Sequence, residues 1–240
     1  KDQIKIKNYS KDIYSNFEKV KKTNVSEVLK KIFDKSILFE NKNFLVIDKW
    51  FGISTQGGTN IAVSIDTIIK NISLKYNLVH RLDKETSGLL IIAKNLKYTK
   101  IFGDIFRSKK INKTYLAICN GKPKINESLV ELMINSKDNK KIITKTYYKV
   151  ISNTQKFSVI KFEPKTGKKH QLRIVAKKLG CPIIGDLKYN LNKTKQKENL
   201  KLNAFKLQFN IGDDIFNITS GLPKDFTNYL KLKKIKFDFK

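Results

Sequence analysis

The chain has 240 residues, 40% of them hydrophobic, which is enough to bury a core and suits one large domain. Its 50 Lys plus Arg face 21 Asp plus Glu, a formal charge of +29; a codon bias toward Lys explains choosing Lys over Arg, but not twice as many cations as anions. A polyanionic partner is expected, and with no apolar run near the ~20 residues of a spanning helix and no signal-peptide pattern, nucleic acid fits better than membrane.

In chain order, residues 1–24 are basic and weakly patterned and read as a linker behind a module upstream. Asn24 is expected to cap a short helix over 25–33, where Val28, Leu29, Ile32 and Phe33 repeat at helical spacing. SILFENKNFLVIDKW, residues 36–50, reads as a hairpin turning at 40–43. A helix over 61–72 follows, and LLIIAK from Leu89 is a short, fully apolar strand. Residues 96–107 look helical, while 110–119, 141–151 and 157–164 read as strands, the last two joined at 152–155. Beyond Gly167, Leu172, Val175, Ala176 and Leu179 form the stripe of a helix closed by Gly180, with His170, Arg173 and Lys177 on an adjacent basic face. The Asn-Lys tract at 190–201 reads as a mobile basic loop. Cys119 and Cys181 have no metal spacing and no further cysteines to build a framework, so they are expected as reduced core residues of a cytoplasmic protein. Strands and helices mix without a βαβ repeat and with short strand connections, which predicts an α+β fold with a largely antiparallel, mixed central sheet and flanking helices.

Residue usage nominates a site. The only arginines are Arg81, Arg107 and Arg173, and the only histidines are His80 and His170. Both histidines and two of the arginines fall in two stretches, HRLDKETSG (80–88) and TGKKHQLRI (166–174). In a chain that otherwise writes Lys, Arg marks positions where a planar fork or a stacking surface is needed. Taken alone, Asp83 suits a solvated turn, Tyr115 a strand core and Arg173 a helix surface. A kinase loop is excluded by the missing glycine-rich segment and DFG, and a serine hydrolase by the missing nucleophile elbow. Two histidines in all leave too few ligands for a metal hydrolase. What remains is one carboxylate among cations on a chain built to hold a polyanion.

HRLDKETSG resembles the HRLDxxTSG signature of the RluA/RluC-type RNA pseudouridine synthases. In the same order, VIDKWFGISTQGG (46–58) resembles the family's VLNKPxGxxVHGG, KINKTYLAICNG (110–121) its KxYxAxxxG, and TGKKHQLRIVAKKLGCPIIGDLKY (166–189) its TGRxHQIRVHxxxxGxPIxGDxxY. LNAFKLQF (202–209) is similar to its LHAxxLxF. Trp50 stands for the usual proline, Lys168 for an arginine, and Val175 and Asn203 for histidines.

The resemblance implies a pseudouridine synthase catalytic domain over 36–240 with a basic active-site cleft, preceded over 1–35 by a linker or the remnant of an N-terminal RNA-binding module. It implies isomerisation of uridines in RNA, with large-subunit ribosomal RNA as substrate, by a cytoplasmic monomer without cofactor or metal. A synthase acting on tRNA, and a non-catalytic RNA-binding or ribosome-assembly protein that retains the fold, are the alternatives. By the same resemblance Asp83 attacks the nucleoside or removes a ribose proton, and Arg173 pairs with Asp83. Tyr115 stacks under the uracil opposite Leu172 and takes the proton from carbon 5. Arg81 fills the gap left by the flipped base, and His80, His170, Lys113 and Lys168 complete the substrate-binding set.

Overall fold

The computed structural model of the protein describes residues 25–58, 61–135, 140–190 and 198–237. The expected linker with its Asn24 cap, and most of the Asn-Lys tract, lie outside these residues. Helix α1 (Glu27–Lys35) is capped instead by Ser26, whose Oγ accepts the Leu29 amide at 3.3 Å. Its register buries Phe33 beside Val25 in the same apolar cluster as Leu45, Ile47 and Ile65. The hairpin forms as expected, from β1 (Ile37–Glu40) and β2 (Phe44–Lys49), with the Asn41 side chain accepting the Asn43 and Phe44 amides to close the turn.

Helix α2 (Ile65–Ile72) starts later than residue 61, because Ser64 and Thr67 form a reciprocal capping box that sets its first turn. After the short β3 (Asn77–Leu78) comes β4 (Ser87–Ala93), buried along its whole length, and then α3 (Leu96–Arg107), capped by Asn95. Strands β5 (Ile111–Asn120), β6 (Glu127–Asn135), β7 (Lys141–Asn153) and β8 (Phe157–Pro164) follow. Helix α4 (Gln171–Lys178), β9 (Leu202–Ile211), β10 (Asp214–Thr219) and α5 (Lys224–Leu232) complete the chain. Sequence periodicity does not reveal β3, β6, β9, β10 or α5.

The strands form one sheet of order β1-β2-β4-β9-β5-β8-β7-β6, with β10 on β9 and β3 on β4. All pairs are antiparallel except β4 with β9, so the sheet is mixed and largely antiparallel as predicted. That parallel junction joins Ser87 and Gly88 to Asn203 and Ala204. Gly88 has φ +106°, and a Cβ there would lie 2.4 Å from the Ala204 carbonyl oxygen, so only glycine permits the approach. Asn203 is fully buried at the same place and donates to Ser87 Oγ at 3.1 Å while accepting from Ser220 Oγ at 2.9 Å. The side chain that replaces the family's histidine is therefore part of the junction that holds the signature loop.

Alternation along β2 and β4 sends Leu45, Ile47, Leu90 and Ile92 to one face, under α1 and α2, and Phe44, Val46, Leu89 and Ile91 to the other, under α3. Along β5, Ala117 and Cys119 pack under α4, whereas Leu116 and Ile118 pack with α5. Tyr115 touches both clusters of the first face. It sits at the seam between the two halves of the sheet. Cys119 and Cys181 are free and buried in this core.

Candidate active site

The loop between β3 and β4 is anchored at alternate residues. His80 Nε2 accepts the Ile91 amide at 2.9 Å, and its ring stacks on Phe106 with centroids 4.7 Å apart. Leu82 is buried, and both its amide and its carbonyl bond to Thr55 Oγ1, at 3.1 and 2.7 Å. The Lys84 carbonyl accepts from the Gly52 amide at 3.0 Å, and the Asp83 carbonyl accepts from Thr86 to close the turn. With 80, 82 and 84 tied down, Arg81 is exposed, and the Asp83 side chain keeps 29% of its surface open. Arg81 makes no hydrogen bond or ion pair with the described residues. Burial and the nearby Lys113 charge push His80 down to about 3, so the ring is neutral and serves the loop as an internal acceptor.

Beneath the loop lies a group that sequence reading missed. Lys49 is fully buried and donates to the carbonyls of Trp50 (3.2 Å), Ile53 (3.0 Å) and Lys84 (3.4 Å). Burial lowers its pKa to about 8 against the raising influence of Glu85, Asp83 and Asp48. Three main-chain oxygens and two site carboxylates thus share one ammonium, which fixes the path of the loop as well as the field at Asp83.

The second motif enters from α4. Gln171, buried, accepts from Thr166 Oγ1 and the Lys168 amide and donates to the Lys145 carbonyl and Thr146 Oγ1, which clamps the TGKKH turn to β7. His170, at φ +56°, is the last residue before the helix, with Nε2 3.8 Å from Asp83 Oδ2 and Nδ1 3.1 Å from the Tyr189 hydroxyl. Burial lowers its pKa against the raising influence of Asp83, and Arg173, Lys169 and Lys188 add to the lowering. At neutral pH the contact is a neutral imidazole against a carboxylate, not an ion pair.

Arg173 departs from its expected pairing. Its Nε donates to Asp186 Oδ2 at 2.8 Å and its NH2 to Asp186 Oδ1 at 2.7 Å, a bidentate grip on a carboxylate that is itself buried. The Lys188 and Tyr189 amides also donate to Asp186 Oδ1, each at 3.0 Å. Burial works against the carboxylate, yet the Arg173 and backbone hydrogen bonds hold Asp186 below the usual range. Arg173 NH1 lies 3.7 Å from Glu85, and Tyr189 covers the guanidinium at 5.3 Å. Asp83 acts on Arg173 through its field, not as the acceptor of the fork. The expected basic helix face is correspondingly reduced, since Arg173 is buried and only Lys177 stays exposed.

Tyr115 is half-buried, and burial together with the charge of Asp83 pushes its hydroxyl far above the ordinary range. It is therefore a neutral phenol, able to donate a hydrogen bond, and it takes a proton only if it releases its own. Leu172 belongs to the cluster against which Tyr115 packs. Lys113, two residues before Tyr115, is partly buried with its pKa lowered by that burial, and Lys168 is exposed. The structure thus gathers Asp83, Tyr115, His170 and Arg173 around one point and adds Lys49, Glu85, Asp186 and Tyr189. His80 faces inward, and Arg81 outward. Among the described residues no three His, Cys, Asp or Glu side chains cluster as a metal site would need.

The family model for RNA pseudouridylate synthase matches residues 43–178, a span that contains the Asp83 loop, Tyr115 and Arg173. The chain belongs to the RNA pseudouridylate synthase family. It is 41% identical over 179 residues to ribosomal large subunit pseudouridine synthase C of Rickettsia bellii, covering 68% of this chain and 60% of that protein. It is 34% identical over 207 residues to an uncharacterized RNA pseudouridine synthase of Haemophilus influenzae, covering 81% of this chain and 90% of that one. Among solved structures, human RNA pseudouridylate synthase domain containing 4 superposes with a TM-score of 0.76 at 25% identity, over 88% of this chain and 97% of that chain. The chain spans about 60% of the length of the Rickettsia bellii relative.

Proposed function

We propose that this chain isomerises uridines in RNA to pseudouridine, with large-subunit ribosomal RNA as its substrate, and that residues 36–240 are the catalytic unit. The carrying observation is the position of Asp83: a partly open carboxylate held against neutral His170, with Lys49 and Arg173 supplying positive field and Tyr115 beside it at the seam. The curated relatives bear the matching name.

The reaction breaks the bond between uracil N1 and ribose C1′, turns the base, joins C5 to C1′ and sheds the C5 proton while N1 gains one, so it needs no electron donor or acceptor. Asp83 either attacks the nucleoside or removes a ribose proton. Tyr115 and Leu172 hold the base during its rotation, which keeps the two fragments at high effective concentration. Tyr115, as a neutral phenol, steers the uracil through its hydroxyl and transfers the C5 proton only in a relay that moves its own onward. A base paired in a helix must first leave the stack, and Arg81, exposed two residues before Asp83, fills the gap. Arg173, held by Asp186, is a positioning residue for Asp83.

The test is Asp83→Asn, which keeps side-chain size and the turn. With RNA carrying 5-tritiated uridine, the unaltered protein releases tritium, whereas the variant binds the same RNA and releases none. Turnover by the variant overturns the assignment.

A further inference from the structure

Tyr189, three residues after Asp186, touches both groups of the second motif that act on Asp83. Its ring covers the Arg173 guanidinium at 5.3 Å and meets the His170 imidazole edge-on, with centroids 5.7 Å apart. Its hydroxyl lies 3.1 Å from His170 Nδ1, and the other ring nitrogen, Nε2, lies 3.8 Å from Asp83 Oδ2. The Tyr189 amide is tied to Asp186 Oδ1 at 3.0 Å, so the turn that receives the Arg173 fork also aims this hydroxyl. His170 itself is held at φ +56°, a conformation uncommon outside glycine. Such strain persists where the surroundings over-determine a residue, and it gathers at functional sites.

The two nitrogens of the His170 ring are not equivalent. Burial lowers the His170 pKa and raises that of the Tyr189 phenol, so both groups are neutral at neutral pH. A neutral imidazole carries one N–H and one lone pair. With the proton on Nδ1, the Nε2 lone pair would face a carboxylate oxygen, which is repulsive. With the proton on Nε2, an N–H faces Asp83 and the Nδ1 lone pair accepts from the Tyr189 hydroxyl.

We propose that Tyr189 is a positioning residue, whose hydroxyl donates to His170 Nδ1 and thereby aims the Nε2–H at Asp83 Oδ2. The inference rests on the synthase reading and deepens it. At 3.8 Å the Nε2 contact is longer than a hydrogen bond, and it closes when substrate fills the pocket. One carboxylate oxygen is then held, and the other is presented to the ribose. His80 has the opposite arrangement: its Nε2 accepts the Ile91 amide, so its proton sits on Nδ1. The two histidines of the chain are thus in opposite tautomers, and each serves as a reference for the other.

The test is Tyr189→Phe in the full chain, which keeps the ring over Arg173 and removes the hydroxyl alone, so the melting temperature is expected to stay the same. NMR of the imidazole nitrogens reads the tautomers, and His170→Asn, a residue that tolerates this backbone, assigns the His170 signals by removing them. In the unaltered protein the His170 proton is expected on Nε2 and the His80 proton on Nδ1. In Tyr189→Phe, Nδ1 of His170 is expected to lose the shift of a hydrogen-bonded acceptor and the Nε2 proton to exchange faster with water, while the His80 signals stay in place. The kcat is expected to fall about tenfold, the scale of one hydrogen bond, with KM unchanged. In a His170→Asn background Tyr189→Phe is expected to cost nothing further, because the hydroxyl acts through the ring. A His170 proton on Nδ1 in the unaltered protein, an unchanged kcat in Tyr189→Phe, or a tenfold loss that persists without His170 overturns the proposal. Pseudouridine formation by the unaltered protein is followed in parallel. Its absence would overturn the synthase reading and still leave the NMR signals to decide whether Tyr189 sets the ring.

Discussion

Arg173 grips Asp186, not Asp83, through two parallel hydrogen bonds of 2.8 and 2.7 Å. The fork is consumed in holding the helix residue still, and what reaches the site is the remaining NH1 edge and the positive field. A lysine at 173 keeps the charge but cannot occupy both Asp186 oxygens. Arg173→Lys is expected to lower turnover about 100-fold, the scale of losing one preorganised donor, with RNA affinity little changed.

Asp186→Ala separates the two roles. It leaves a buried guanidinium without its partner and is expected to cost about 3 kcal/mol of stability or more, read by denaturant unfolding. Asp186→Asn keeps one acceptor and the turn that binds the Lys188 and Tyr189 amides, so it is expected to fold. Its turnover is expected to fall as Arg173, released from the fork, swings toward Glu85 and Asp83. Full activity in Asp186→Asn would show that the grip has no bearing on the site.

Arg81 is exposed and free of the described residues, so Arg81→Lys is expected to leave stability untouched and to act on the substrate. Turnover on a structured RNA is expected to drop about tenfold and to recover largely when the target uridine is already unpaired, because less unstacking energy is then needed. Arg107, ion-paired to Asp104 on the surface of α3, is the comparison. Arg107→Lys is expected to be silent on both substrates, and equal mild effects at 81 and 107 would remove Arg81 from the flipping step.

Lys49 makes the site sensitive to alkali. With its pKa lowered to about 8 by burial, it loses its proton as pH rises through 8, and Asp83 and Glu85 lose a counter-charge. Activity is expected to decline above that pH, and the decline is expected to vanish from the lower residual activity of Lys49→Met. Unfolding is not the cause: the unfolded chain binds more protons than the folded one between about pH 8 and the ordinary lysine value of 10.5, so this group makes the fold more stable as pH rises through that window. A melting temperature that falls in step with activity would contradict the account.

The sequence by itself determined the local parts: the β1–β2 hairpin, the span of α3, the apolar stripe and glycine stop of α4, and the two short motifs that hold Asp83 and Arg173. These follow from short-range rules, since helix period, caps and turns involve residues a few positions apart. Family resemblance added Tyr115 and the pseudouridine synthase fold, and the family comparison bears out the fold. The packed chain alone decided the partners. Two carboxylates compete for the Arg173 fork, and the winner depends on how the turn after α4 closes over the helix, not on which lies nearer in a motif. Lys49 reads as one more lysine among many until two carbonyls of the turn after β2 and one from the Asp83 loop converge on its ammonium. The parallel junction of β4 with β9 joins residues more than a hundred positions apart, and it exists because Gly88 lacks a Cβ and Asn203 satisfies the buried hydroxyls around it. No local pattern encodes such meetings, because burial and hydrogen-bond satisfaction are properties of the whole packed chain.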